Sequence, residues 1–216
     1  MLFVKKNIYS LSFIVLISFL ISVIFKNYLN TNELFYNFYS EQLVQEQLDK
    51  LIETQQKWSW VGYAITPLLI LLRSSIVALT LSVGNFFYNM DEIELPKFKD
   101  FFRIALLGEF VLLFVGVFKL LYFLFIKTDY NLLDIQRYYP LSLINFADID
   151  NLEPWLVYPI QTINLFEITY FIVLVYGMHK LLKSNYWRDF EITAVSYGIG
   201  LLIWLGLVTF LILNFT

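Results

Sequence analysis

Long apolar stretches, separated by short charged segments, dominate the pattern of residues along this chain. Five stretches approach or exceed the length of about 20 apolar residues that a helix needs to cross a bilayer. They are residues 8–25, 58–84, 103–126, 157–179 and 191–214. The pattern therefore predicts an all-α integral membrane protein, in which five transmembrane helices form a compact bundle and residues 1–216 form a single membrane domain.

The overall composition excludes a soluble domain with one core. Hydrophobic residues make up 59% of the chain and charged residues only 15%. Soluble globular domains carry roughly 45–50% apolar and about 25% charged residues. The excess of apolar residues therefore supports the interpretation that most of the chain lies in a lipid bilayer.

Lysine and arginine residues are distributed unequally between the segments that connect the stretches. Residues 1–7, 85–103 and 180–190 hold eight of them, whereas the longer segments 26–57 and 127–156 hold five. Because short loops rich in Lys and Arg stay in the cytoplasm, we expect the N-terminus inside and the C-terminus outside. The first stretch is longer than the core of about 7–15 residues in a signal peptide, so we expect an uncleaved span. This topology is typical of a multi-pass protein of the bacterial inner (cytoplasmic) membrane.

A second kind of pattern occupies residues 32–57, in the first outer loop. Apolar residues fall on one side at helical spacing, while acidic and amide side chains fill most of the rest. The apolar positions are Leu34, Phe38, Val44, Leu48, Leu51 and Ile52. We predict an amphipathic helix that runs into the second span and lies either on the lipid or the protein's own outer face, or against a partner protein. Membrane-surface helices usually carry Lys and Arg, so the acidic polar face favours a protein partner.

Four ionisable residues fall inside the predicted spans: Arg73, Glu109, Lys119 and Glu167. A charge at the bilayer centre costs from about 2.5 kcal/mol upwards, so such residues usually face the bundle interior and pair. Arg73 and Glu167 fall at matching depths near the middle of their spans, which makes them our first choice of ion pair. Glu109 is the alternative partner of Arg73. The pair would either fix the register of the helices or form part of a polar path for a proton or an ion.

Small residues recur four positions apart in two of the stretches. This spacing lets membrane helices approach closely, within a bundle or against a partner. The pairs are Ser18 and Ser22, Ala194 and Gly198, and Ser196 and Gly200.

Residues that carry chemistry are scarce. The chain has no cysteine and one histidine, His179, which excludes thiolate sites and argues against a histidine-built metal site. No nucleotide-binding, zinc-protease or serine-hydrolase motif occurs. The net charge of −3 gives no reason to expect nucleic acid. We therefore predict no catalytic residues, no cofactor, no bound metal, no nucleotide and a function other than catalysis.

The C-terminal part of the chain resembles a known family. Asn164 to Tyr170, followed by Val173 to Gly177, leads to a short basic turn and a final apolar span at 192–213. This arrangement is similar to the end of the Yip domain family, the Ypt/Rab-interacting membrane proteins and their bacterial relatives. Phe166 and Gly177 match positions of that family, and residues 65–68 and 82–87 fit more loosely.

The resemblance covers about residues 60–214 and implies a compact five-span bundle with a cytoplasmic N-terminus. The long outer helix departs from the family. So does the expected lack of a sizeable cytoplasmic N-terminal region, where eukaryotic members bind their partners, and Rab binding is therefore not implied.

Together these features favour a non-enzymatic membrane protein that acts by binding. We predict an accessory or scaffold subunit of an envelope complex, whose partners are the lipid bilayer and other membrane protein subunits or a second copy of the chain. The alternative is a transporter or channel subunit with a polar intramembrane path through Arg73, Glu109 and Glu167.

Overall fold

A computed structural model describes residues 2–29, 31–40, 42–90 and 95–215, so that residues 1, 30, 41, 91–94 and 216 of the predicted domain lie outside the described part. The described residues are almost entirely helical, with two short 3-10 helices at Leu143–Phe146 and Ile149–Asn151. The α-helices are α1 (Leu2–Tyr28), α2 (Thr31–Ser40), α3 (Gln45–Tyr88), α4 (Phe98–Phe125), α5 (Leu132–Arg137), α6 (Pro154–Thr162), α7 (Leu165–Leu182) and α8 (Tyr186–Phe215).

Five of these helices, α1, α3, α4, α7 and α8, are long and apolar enough to cross a membrane. This confirms the predicted number of such helices within the described residues, and the chain is a multi-pass membrane protein by that measure. The predicted spans 8–25, 58–84 and 191–214 each lie inside one helix, and 103–126 matches α4 to within one residue at its end. The helices begin earlier than the spans because polar residues can continue a helix beyond the apolar core of the bilayer.

The fourth predicted span, 157–179, was wrong as a single helix. The structure divides it into α6 and α7, with Ile163 and Asn164 between them. Asn164 has an extended backbone, and its side-chain oxygen accepts a hydrogen bond of 2.8 Å from the backbone N–H of Glu167. Asparagine at this position starts a new helix by satisfying one of its free N–H groups. The apolar pattern runs on through the break, which is why periodicity alone did not find it.

The break between α6 and α7 is closed by hydrogen bonds from the preceding loop. Leu143 N–H donates to the carbonyl of Ile163 at 3.0 Å, and Leu165 N–H donates to the carbonyl of Leu141 at 3.1 Å. The hydroxyl of buried Ser142 also donates to the Gln161 carbonyl at 3.0 Å. Backbone that is not helical is tolerated near the bilayer only when its polar groups are satisfied in this way.

The core of the protein lies where α3, α4, α7 and α8 pack together. Helix α4 is central and contacts α1, α3 and α7, while α8 packs on α3, α6 and α7. Helix α1 runs parallel to α4, with Phe13 near Phe110 and Ile21 near Gly116. The core lies toward the end of the bundle where residues 89–97 and 183–185 connect the helices, which we call the basic end. Its buried residues are Val77, Ala78, Leu81, Phe101, Ile104, Ala105, Tyr170, Leu174, Met178 and Ile192.

Glycines permit the closest helix contacts in this core. A Cβ atom at Gly108 would overlap the ring of Tyr170 on α7, and one at Gly84 would overlap Ser196 on α8. A Cβ at Gly177 would lie 2.6 Å from the side chain of Ile104. Of the small-residue pairs in the last span, Ser196 and Gly200 therefore face α3, where Gly200 meets Thr80. A Cβ at Gly198 would have no atom within 4 Å.

We expect Gly108→Ala to destabilise the protein by about 1–3 kcal/mol, because the added methyl group overpacks the contact with Tyr170. Gly198→Ala is the matched control, and it should be neutral or stabilising by about 0.5–1 kcal/mol because alanine is the better helix former. Thermal unfolding in detergent, followed by tryptophan fluorescence, measures both. Equal shifts in the same direction would show that Gly108 is not a close contact.

Candidate functional site

Arg73 and Glu109 form an ion pair in the middle of the bundle. Arg73 lies 15 residues before the end of α3 and Glu109 lies 11 residues after the start of α4. At about 1.5 Å per residue these positions are about 22 Å and 16 Å from the basic end. The Nε atom of Arg73 donates to Oε1 of Glu109 at 3.0 Å, and the Ser74 hydroxyl lies 3.4 Å from the same oxygen. The carboxylate of Glu109 is only 5% exposed, so it is a buried charge that is held by its partners.

Glu167, our first choice of partner for Arg73, is engaged elsewhere, and the alternative partner Glu109 takes its place. Glu167 lies in the first turn of α7 and accepts a hydrogen bond from the hydroxyl of Tyr197 on α8. Counted from the basic end, Glu167 lies 15 residues before the end of α7, which is the same depth of about 22 Å as Arg73. The matching depth was therefore right, but depth alone does not show that Arg73 faces Glu109 on α4 while Glu167 faces Tyr197 on α8.

Six residues form what we call the arginine cluster, and all four helices of the core contribute to it. The guanidinium carbon of Arg73 lies 5.4 Å from the centre of the Tyr170 ring, and the rings of Tyr170 and Tyr197 are 5.6 Å apart. The buried hydroxyl of Tyr170 has no hydrogen-bond partner among the described residues. The members are Arg73, Ser74, Glu109, Glu167, Tyr170 and Tyr197.

The arginine cluster is partly exposed, because the side chain of Arg73 lies at its surface. The side chain of Arg73 is 47% exposed, although it lies at mid-depth in α3. Its terminal nitrogens donate no hydrogen bond within the described part of the chain, where Arg73 pairs with Glu109 through Nε and lies over the Tyr170 ring. Leu69 and Ile76, one turn to either side of it on α3, are exposed as well. A charged group is thus half exposed at mid-depth in a membrane-crossing helix.

Lys119, the remaining charged residue of the predicted spans, does not belong to the cluster. It is half-buried on α4, six residues before the end of the helix at Phe125. Among the residues that the structure describes, no carboxylate lies within ion-pair distance of it. A long lysine side chain at this position can reach the polar region of the membrane along the helix.

Sequence reasoning missed the tyrosines of the cluster, because it assigned the aromatic residues to packing and to membrane interfaces. Tyr170 follows Glu167 by three residues, which places both on the same face of a helix. Tyr197 carries a polar hydroxyl group within a long apolar span. These two signals could have drawn attention to the tyrosines, although neither reveals which helix they face.

A second polar cluster lies at the basic end and closes the turn between α7 and α8. The buried carboxylate of Asp189 accepts a hydrogen bond of 2.5 Å from Ser184, and its Oδ2 lies 2.8 Å from Nδ1 of His179. Arg188 donates to Oδ1 of Asn89 at 2.6 Å, which ties α8 to the end of α3. Within the described residues, no group of three or more His, Cys, Asp or Glu residues could hold a metal ion. The contacts join helix ends, which is a structural role.

The predicted outer amphipathic helix at 32–57 is interrupted. Its first part forms α2, and from Gln45 its second part is the start of α3, which continues without a break to Tyr88. Of its apolar positions, Leu48 is buried and Val44 is 72% exposed, while the others are half-buried. Those half-buried positions are Leu34, Phe38, Leu51 and Ile52. Since α2 packs on α1, α3 and α5, most of the apolar face is used inside the chain.

In comparisons with protein-family models, with curated proteins and with solved structures, nothing matched this chain. What the arginine cluster does must therefore be inferred from its own geometry.

We expect Arg73→Gln and Glu109→Gln each to destabilise the protein by about 3–5 kcal/mol, because each leaves an unpaired charge in the bundle. The double variant should lose less than the sum, since it removes both charges. Unfolding free energies in mixed micelles measure the cycle, and Lys119→Gln combined with Glu109→Gln is the control pair that should be additive. Additive losses for Arg73 and Glu109 as well would mean that the two do not interact.

Proposed function

We propose that this chain is a non-enzymatic accessory or scaffold subunit that binds another membrane protein through the face of α3 that carries Arg73. The observation that supports this function is the half-exposed guanidinium at mid-depth in a membrane-crossing helix. A charge in hydrocarbon costs from about 2.5 kcal/mol upwards unless it is paired or reaches water. Glu109 satisfies one side of Arg73, and a partner would satisfy the other.

The chemistry of Arg73 indicates what the partner has to supply. A guanidinium offers five N–H donors in a rigid, planar arrangement that suits a carboxylate. Nε is used by Glu109, so the terminal nitrogens remain for an acceptor on another helix. Leu69, Leu72 and Ile76, which are near Arg73 along α3, are exposed apolar side chains. A transmembrane helix of another membrane protein, with a carboxylate or a free carbonyl, would fit this face.

Transport is the second candidate function, and two observations favour it. The hydroxyl of Tyr170 is buried and unpaired within the described residues. The break before α7 places the start of a helix close to Glu167, and broken membrane helices often line transport sites. In this alternative, Arg73, Glu109 and Glu167 would form the polar path of a transporter or channel subunit.

We also propose that the basic end faces the cytoplasm, in a bacterial inner membrane. The support is the density of lysine and arginine in residues 85–103 and 180–190. The resemblance to the Yip domain family remains a proposal of the same kind. Its two matching residues have packing roles, since buried Phe166 meets Phe118 and Gly177 meets Ile104. Five membrane-crossing helices are compatible with that family.

We expect an impermeant maleimide to label Lys50→Cys in intact cells and Lys99→Cys only after the membrane is permeabilised. Both lysines are exposed, and they lie at opposite ends of the bundle. The chain has no cysteine of its own, so the unmodified protein is a clean control. The reverse labelling pattern would contradict the proposed orientation.

For the proposed function, we expect a photo-crosslinking residue at position 69 or 76 to capture one membrane protein of defined size in native membranes. Phe114, which is exposed on α4, is the matched control position and should give no such product. The product should disappear in the double variant Arg73→Gln, Glu109→Gln. That variant leaves no stranded charge in the bundle, so a retained melting temperature would separate lost assembly from lost folding.

Equal crosslinking at all three positions, or none at positions 69 and 76, would contradict the accessory-subunit function. Extraction as a monomer without any neighbour would do the same. A clean homo-oligomer would shift the weight to transport. The decisive measurement would then be ion flux in liposomes, compared between the unmodified protein and the same double variant.

A further inference from the structure

Two neighbouring cavities lie between α1 and α3, in the half of the protein away from the basic end. One has a volume of about 370 Å³ and is mainly apolar, with Leu11, Val15, Leu16, Phe19 and Pro67 in its wall. The other has a volume of about 420 Å³ and has mostly polar residues in its wall, so we call it the polar cavity. Ser22 and Tyr63 line both, so the cavities adjoin. Each volume lies within the range of about 300–1,000 Å³ that is typical of small-molecule sites.

The cavities lie on the same face of α3 that, nearer the basic end, packs into the core. Ser74, Val77, Leu81 and Asn85 are buried against the other helices. The same helical spacing, continued upward in steps of three and four residues, leads to positions 70, 67, 63, 59 and 56. Tyr63 and Pro67 on this line face the cavities, and the Tyr63 ring also packs against Phe19 of α1, with centroids 5.2 Å apart. The inward side of α3 is therefore covered in one half and open in the other.

The polar cavity is lined by hydrogen-bond donors that have no partner. One cation, Lys26, and the neutral side chains of Asn32, Gln55, Gln56 and Tyr63 are part of its wall. None of these five side chains makes a hydrogen bond or an ion pair within the described residues, and the wall includes no carboxylate. Such a set suits a group with one negative charge and several acceptor oxygens, as a phosphate diester has.

The depth of the cavities separates the polar and apolar parts in the way that a bilayer does. Trp58 and Trp60 are exposed on α3 beside the polar cavity, and tryptophans concentrate at the level of the lipid headgroups. Pro67 in the apolar cavity lies eight residues further along α3 than Ser59 in the polar one. That separation is about 12 Å toward the hydrocarbon core.

We propose that the two cavities together hold one anionic phospholipid. Its phosphate lies among Lys26, Asn32 and Gln56, and an acyl chain lies along the apolar cavity between α1 and α3. The polarity, the single positive charge and the depth of the lining residues each match one part of that molecule.

Native mass spectrometry of the detergent-purified full chain tests this. Dioleoyl phosphatidylglycerol and dioleoyl phosphatidylcholine are added separately at equal concentrations, and we expect one phosphatidylglycerol per chain to bind in preference. Lys26→Gln should weaken phosphatidylglycerol binding about fivefold, as expected for one lysine near a membrane surface, and should remove the preference. Lys50→Gln removes the same charge from an exposed position of α3 and should change nothing.

A second variant tests the apolar cavity. Val15→Trp fills it and should weaken the binding of both lipids, whereas glycerol phosphate, which has no acyl chain, should not compete with phosphatidylglycerol even in large excess. Thermal unfolding shows whether each variant has folded. If Val15→Trp does not fold, Lys26→Gln alone tests the proposed lipid site. Binding of phosphatidylglycerol to Lys26→Gln within twofold of the unmodified protein would overturn the proposal. So would equal losses for Lys26→Gln and Lys50→Gln, which would indicate a general lipid belt, or competition by glycerol phosphate, which would indicate a site for the free phosphate.

Discussion

The buried carboxylate of Glu109 is the constraint on which the arrangement of the four core helices depends. A carboxylate that is almost fully buried in an apolar bundle has to be held by charge and hydrogen bonds. Arg73 and Ser74 are consecutive residues of α3 and both reach the same oxygen, which leaves little freedom in the register of α3 against α4. Gly108, next to Glu109, admits the ring of Tyr170 and so positions α7. The contact of α7 with α4 therefore depends on the register that Glu109 sets between α3 and α4.

The bilayer sets a second constraint, which acts on helix length. Helix α7 has 18 residues, about 27 Å, which is about 3 Å shorter than a hydrocarbon core of about 30 Å. At least one of its ends therefore lies inside the core, where free backbone polar groups are costly. The buried Asn164 side chain accepts from the Glu167 N–H, and the Leu141 carbonyl accepts from the Leu165 N–H. The buried Ser142 hydroxyl donates to the Gln161 carbonyl at the end of α6. The loop that precedes α6 is thus part of the membrane structure rather than a simple connection.

How much of this could be predicted depends on how many residues carry each signal. A membrane-crossing helix is indicated by about twenty apolar side chains, and the number of such helices was predicted correctly. The break before α7 is indicated by Asn164 alone, which lies within a continuous apolar stretch. The break was therefore missed. The break did not change the depth of Glu167, and the wrong ion pair came instead from not knowing which side chains face each other. The tyrosines of the arginine cluster depend on which helices face each other, and one sequence does not contain that information.

Helix α3 links the two proposed binding sites, and the reason lies in the position of α1. Helix α1 packs along α4, where Gly116 admits Ile21 and Phe13 meets Phe110, and it touches α3 far less. The inward side of α3 consequently stays open from Gln56 to Pro67, while Ser74 begins the covered half. A lipid in that opening would brace α3 against α1, just above the ion pair that fixes α3 to α4. Lipid and partner would then act on the same helix, one holding its upper half in place and the other pairing with the arginine below it.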